Sequence, residues 1–203
     1  TGIRHTHQDL AAQMWVNPTE IPGNGADDDN DGFIDNIYGM DGVNNDGDPN
    51  DDNGHGTHVA GTIGAAADDG NPHVGVAWNV RLMGLKAGND EGLFPSIATL
   101  RCWDFAIQRR VQVINASYGG YGFSQAQFEA VRAARDVGIL LVAAAGNDRN
   151  NNDSFPAYPA SYDLDNIISV AAMERAERLA DFSNYGATTV EVAAPRGEIF
   201  STL

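Results

Sequence analysis

A single cysteine, Cys102, among 203 residues leaves no partner for an internal disulfide and no basis for reading a redox compartment. Basic residues are scarce as well. Between Arg4 and Arg81 there is no Lys or Arg, although fourteen of the twenty-eight acidic residues lie there, ten of them aspartates from Asp27 to Asp52. With a formal net charge of -16 the chain repels polyanions, so nucleic acid is excluded as an expected partner. Nowhere does an apolar run reach the roughly eighteen residues a membrane span needs, so no membrane association is expected. Linkers, internal repeats and low-complexity stretches are missing too, and 42% hydrophobic residues suffice for one sizeable core, so residues 1–203 read as one domain.

What is present is concentrated in short strings. Residues 53–64, NGHGTHVAGTIG, carry His55 and His58 where a polar, turn-rich loop becomes a helix. Gly54 and Gly56 bring backbone close to His55, while Val59, Ala60, Ile63, Ala66 and Ala67 give the following segment an apolar face at helical spacing. His55 is therefore expected at a helix start with one side toward open space. Two histidines three apart also share a helix face, which leaves half of a zinc site as an alternative at this stage.

Downstream, residues 111–120 (VQVINASYGG) and 138–147 (GILLVAAAGN) read as buried parallel strands whose carboxyl ends open into a site. Between them a helix is expected over 124–137. Ser124 is its N-cap, Gln127 completes a capping box, Phe128, Val131 and Ala134 face inward, and Gly138 is the stop. Ile97, Leu100, Trp103 and Ile107 trace a further helical stripe with Cys102 beside it as a small side chain. No glycine-rich turn or basic partner surrounds Cys102, which argues against a nucleophile there.

The acidic stretch has a pattern of its own. In DDDNDGFID, Asp27, Asp29 and Asp31 alternate, Gly32 allows a sharp turn, and the Phe33 carbonyl and Asp35 follow at the spacing of a calcium loop. Tyr38 stands where such a loop carries its bidentate Glu, so the site is not a complete EF-hand. Four carboxylates, one carbonyl and water can supply the six or more oxygens calcium takes. The alternative is a solvated acidic insertion, over about 23–53, adapted to salt. Asn44, Asp46, Asp48, Asp51 and Asp52 form a second, weaker cluster, whose carboxylates are expected to raise the pKa of His55. His5, His7 and His73 read as surface residues.

Taken together, HGTHVAGT, VINASYGG, VAAAGN, FPAYPASY and VAAPRGEIFSTL resemble, in order and spacing, the successive motifs of the subtilisin-like serine proteases, over nearly the whole chain. The resemblance implies a three-layer α/β/α domain with a mainly parallel central sheet, and strands are expected at 80–86, 111–116, 139–144 and 167–171. It makes His55 the triad histidine and Asn147 the oxyanion asparagine. Ser117, Tyr118 and Gly119 would pair with an extended substrate backbone, and Ala144, Ala145 and Gly146 would form the opposite wall of the first specificity pocket. Tyr158 and Pro159 match a frequent cis-proline position. Arg196 stands where the family's APG has glycine, and the loop 65–75 departs from the form that pairs with an aspartate such as Asp9 in a family calcium site.

By the same resemblance the family's aspartate falls just before Thr1 and its serine beyond Leu203. Residues 1–203 then look like a catalytic domain truncated at both ends, inactive by itself, whose parent is a secreted, monomeric endopeptidase acting on proteins or peptides. Calcium is expected as a structural ion and no organic cofactor is. Two other functions stay open: a catalytically inactive calcium-binding domain of this family, and a zinc hydrolase using His55 and His58, which lacks the glutamate of an HExxH motif.

Overall fold

The computed structural model describes residues 1–67, 70–175, 177–196 and 199–203. The chain divides into two compact units, one of residues 1–102 with 200–203 and one of residues 103–199.

The first unit carries a short 3-10 turn (Ala11–Gln13), strand β1 (Gly39–Asp41), helix α1 (His55–Gly64) and strand β2 (Gly84–Lys86). β1 and β2 run parallel, with Gly39 opposite Gly84 and Asp41 opposite Lys86. Leu10, Met14, Ala60 and Leu82 are its buried apolar centre, and Ile3, Tyr38, Ile63 and Val80 pack around them. Ala60 and Ile63 thus face inward at helical spacing, but the helix stops at Gly64, so Ala66 and Ala67 lie beyond it.

In the second unit β3 (Val113–Ala116), β4 (Leu140–Ala144), β5 (Ile167–Met173) and β6 (Val192–Pro195) form a parallel sheet in the order β3-β4-β5-β6. β3 is therefore an edge strand in this sheet rather than a buried one, and Val113 is 53% exposed. Pro195, which cannot donate to a ladder, closes the other edge strand. Helix α3 (Gln125–Asp136) connects β3 to β4, with the Ser124 side chain accepting from the Gln127 amide as an N-cap. The reciprocal half of the capping box is not made: the Gln127 side-chain Oε1 instead accepts from the Tyr162 hydroxyl at 3.2 Å. Val131 and Ala134 are buried and Phe128 packs against the same core, which also holds Ile139, Leu141, Ala143 and Ile167. Burial of each large aliphatic side chain there is worth about 1.5–3 kcal/mol.

The boundary between the units falls inside helix α2 (Ser96–Gln108). Its buried positions are Ala98, Thr99, Cys102, Trp103, Phe105 and Ala106, whereas Ile97 is 59% exposed. Of the expected stripe, Trp103 lies in the core of the second unit and Ile107 packs against that core, and the small side chains of Ala98, Cys102 and Ala106 are buried as well.

Candidate active site

The start of α1 satisfies its backbone donors one by one. The His55 amide donates to the Asn53 carbonyl oxygen of the side chain at 3.2 Å, the Gly56 amide to Thr1 Oγ1 at 2.8 Å, and the Thr57 amide to Asp51 Oδ2 at 2.8 Å. Three side chains outside the helix thus do what a single N-cap usually begins, since Gly54 has no side chain to offer. A Cβ at Gly56 would stand 2.0 Å from the Gly2 carbonyl oxygen, so only glycine lets the chain pass there. Next to Asp51, Asp52 pairs with the Nζ of Lys86, a lysine only 2% exposed whose ammonium also donates to the Thr1 carbonyl at 3.4 Å. The first turn of α1 is held from three directions while His55 itself stays exposed.

Partial desolvation of the imidazole lowers the His55 pKa from 6.5, and the neighbouring His58 acts in the same direction; Asp51 opposes this without reversing it. The expected upward shift is therefore corrected: Asp51 spends its charge on other donors. Partial burial pushes the Asp51 carboxyl up, but the Thr57 hydroxyl and the amides of Gly54, Thr57 and Asn53 together hold it below 3.8. Asp46 and Asp48 cap turns at the Asp48 and Asn50 amides, and Asp41, rather than a free Asn44, anchors the next turn by accepting from the amides of Val43 and Asn44.

The oxyanion and substrate-binding candidates lie in the second unit. β3 ends at Ala116, and pairing resumes only at an isolated antiparallel bridge between Gly120 and Tyr158, so Ser117, Tyr118 and Gly119 lie on a stretch outside the ladder. The Tyr158–Pro159 bond is cis. Ala144 ends β4, the Ala145 amide donates to the Val170 carbonyl at 2.9 Å, and Gly146 takes φ +115°. A Cβ on Gly146 would come within 2.3 Å of the Asn184 side chain, so this position requires glycine on both counts. Asn147 follows in an exposed bend.

Around the acidic loop, Asp27 and Asp29 converge with a residue that the loop pattern did not include: carboxylate oxygens of Glu20, Asp27 and Asp29 lie within 4.8 Å of one another. Glu20, only 6% exposed, also accepts from the amides of Asp28, Asp29 and Asp35. Asp27 accepts from the Asp31 and Gly32 amides, Asp31 from the Phe33 amide and the Asn36 side chain, and Asp35 from the Gly23 and Gly25 amides. An all-oxygen, carboxylate-rich donor set fits a hard divalent cation. Among the described residues it is the group of three or more potential ligands that forms, and it does not contain His55 or His58.

The remaining histidines are half-buried rather than free on the surface. His5 stacks on Tyr38 with ring centroids 4.5 Å apart and lies 3.4 Å from Asp48. The His7 ring accepts from the Asp9 amide at 3.2 Å, and His73 Nε2 meets the Gly61 carbonyl at 3.1 Å. Asp9 itself accepts from Asn71 at 2.6 Å, so the loop 65–75 does reach it; Asp68 and Asp69 lie outside the described residues.

The subtilase family model matches residues 1–203. Subtilisin-like protease 1 of Plasmodium berghei is 33% identical over 220 residues, covering 100% of this chain and 37% of that protein. A thermophilic serine proteinase of Bacillus sp. (strain AK1) is 38% identical over 205 residues, again covering the whole chain and 44% of the relative. The crystal structure of a cold adapted subtilisin-like serine proteinase superposes with a TM-score of 0.77 at 29% identity, over 100% of this chain and 62% of that one. The chain therefore spans less than two thirds of the length of each of these relatives, and its fold is the α/β arrangement with parallel strands that their likeness requires.

Proposed function

Because this chain belongs to the subtilase family, we propose that the protein is a serine-type endopeptidase that hydrolyses proteins or peptides through an acyl-enzyme intermediate. The observation that carries this reading is the start of α1, where every early amide is occupied and the exposed group left for chemistry is the His55 imidazole. His55 takes the proton of the family's serine hydroxyl as that hydroxyl attacks the scissile carbonyl; it then returns the proton to the leaving amine. The lowered pKa keeps the ring neutral, and so able to accept a proton, at a pH where an ordinary histidine is partly charged.

Asn147 donates its side-chain amide to the oxyanion of the tetrahedral intermediate. Ser117, Tyr118 and Gly119 offer backbone groups to an extended substrate, and Ala144, Ala145 and Gly146 leave room for its side chain. Glu20, Asp27 and Asp29, with Asp31, Asp35 and the Phe33 carbonyl close in sequence, are the residues we assign to a structural calcium, whose charge would offset the carboxylates gathered there. Secretion and a monomeric state accompany the family reading.

Turnover of a fluorogenic peptide by active enzyme containing this chain tests the assignment. His55→Ala is expected to lower kcat by about a millionfold and Asn147→Ala by roughly a hundred to a thousandfold, magnitudes already established for this class of enzyme. Undiminished turnover in either variant refutes the corresponding role.

A further inference from the structure

Asn184 is completely buried, and its bonds bracket Asn147 on both sides. Its backbone amide donates to the Gly146 carbonyl at 2.9 Å, and its side-chain Oδ1 accepts from the Asp148 amide at 2.8 Å and the Asn150 amide at 3.0 Å. The Nδ2 group has two hydrogens for three acceptors, the Ala145 carbonyl at 3.0 Å, Asn152 Oδ1 at 3.1 Å and the Tyr121 hydroxyl oxygen at 3.2 Å, so one hydrogen is shared. Asn152, also fully buried, donates to the same Ala145 carbonyl at 2.9 Å and accepts from the Asn150 side chain at 2.8 Å. Tyr121 closes the ring by donating to Asp148 at 2.6 Å. None of these bonds uses the Asn147 side chain.

We propose that Asn184 is the positioning residue for Asn147: it fixes the backbone from Ala145 to Asn150 so that the exposed Asn147 amide points where charge develops. The inference rests on the oxyanion reading of Asn147 and adds a residue far from it in sequence. Only an amide side chain meets the demand at this place, because two backbone donors and three backbone or side-chain acceptors converge on one group. Aspartate would face the Ala145 carbonyl and Asn152 Oδ1 with no hydrogen to give, and alanine would leave the Asp148 and Asn150 amides without their acceptor.

The test is a double-mutant cycle in active enzyme containing this chain, with kcat and KM measured for Asn147→Ala, Asn184→Ala and the pair. Asn184→Ala is expected to lower kcat roughly ten- to a hundredfold with KM within about twofold, since it displaces a group that acts in the transition state. In the Asn147→Ala background it should cause no further loss, because its effect passes through Asn147. A loss that multiplies in the double variant, or a kcat for Asn184→Ala within about twofold of wild type, overturns the proposal. A change below about threefold in Asn147→Ala overturns the oxyanion reading instead, and is visible in that arm alone. Amide exchange gives the second readout and needs no turnover. Asn184→Ser, which retains a small hydroxyl should alanine prevent folding, is expected to accelerate exchange at Asp148 and Asn150 but not at Leu141 in β4; unchanged exchange at both overturns the positioning itself.

Discussion

The Thr57 hydroxyl donates to an Asp51 carboxylate oxygen across 2.6 Å, and the Thr57 amide donates to the same oxygen at 2.8 Å. One carboxylate thereby fixes the third residue of the helix that begins with His55, while its other oxygen accepts from the Asn53 and Gly54 amides. Asp51→Ala is expected to cost about 1–2 kcal/mol, the range of a lost helix cap, in denaturant unfolding. Because the folded-state carboxyl titrates below 3.8, this stabilisation is complete above that pH and is lost as pH falls through it toward the folded-state value. A difference between variant and wild type that persists unchanged well below pH 3.8 contradicts the assignment.

His55 is expected to titrate below 6.5 when followed by NMR through its ring protons. Asp51 is the carboxylate that raises its pKa, so Asp51→Asn should move the midpoint lower still. The sign for stability follows: just below pH 6.5 the unfolded chain binds a proton that the folded one resists, so stability falls with falling pH there, and His55→Gln removes that slope. A midpoint above 6.5, or an upward move in Asp51→Asn, is the opposing result.

Burial pushes the Cys102 thiol up to about 12, and its sulfur lies 3.6 Å from that of Met40. The thiolate is therefore negligible at neutral pH, and a disulfide reagent should modify the native protein at least about a hundredfold more slowly than the denatured one. Rapid labelling of the folded protein would show that Cys102 is accessible and reactive.

Calcium at about a hundred times its Kd is expected to stabilise the protein by about 2.7 kcal/mol, which raises Tm by roughly 5–11 °C. Glu20→Gln, which removes one of the three converging carboxylates, should abolish most of that rise. Equal calcium responses in variant and wild type place the ion elsewhere or nowhere.

His55 was legible because its signal is local: a glycine-flanked histidine followed by apolar residues at helical spacing needs no distant partner. The cap around it was not, since Thr1, Asp51 and Asn53 act through the folded loop and Thr1 is fifty-five residues from the amide it accepts. The parallel strands were read to within a few residues from their β-branched runs, but β1, three residues in an acidic, glycine-rich stretch, carries no period to detect. Glu20 stands seven residues before Asp27, outside any calcium-loop spacing, and only the fold of the loop brings it in. Asn184 stands in the string SNYG; its contacts lie thirty-two to sixty-three residues away, so nothing in its own neighbourhood announced them.

The central claim is tested most directly by covalent labelling of active enzyme containing this chain with a serine-directed phosphonylating reagent, followed by identification of the modified residue. The account predicts one labelled serine, loss of peptide turnover in step with labelling, and no labelling in His55→Ala at a matched fold. Folded, calcium-loaded protein that neither turns over peptide nor takes up label would contradict it, as would labelling that His55→Ala leaves unchanged.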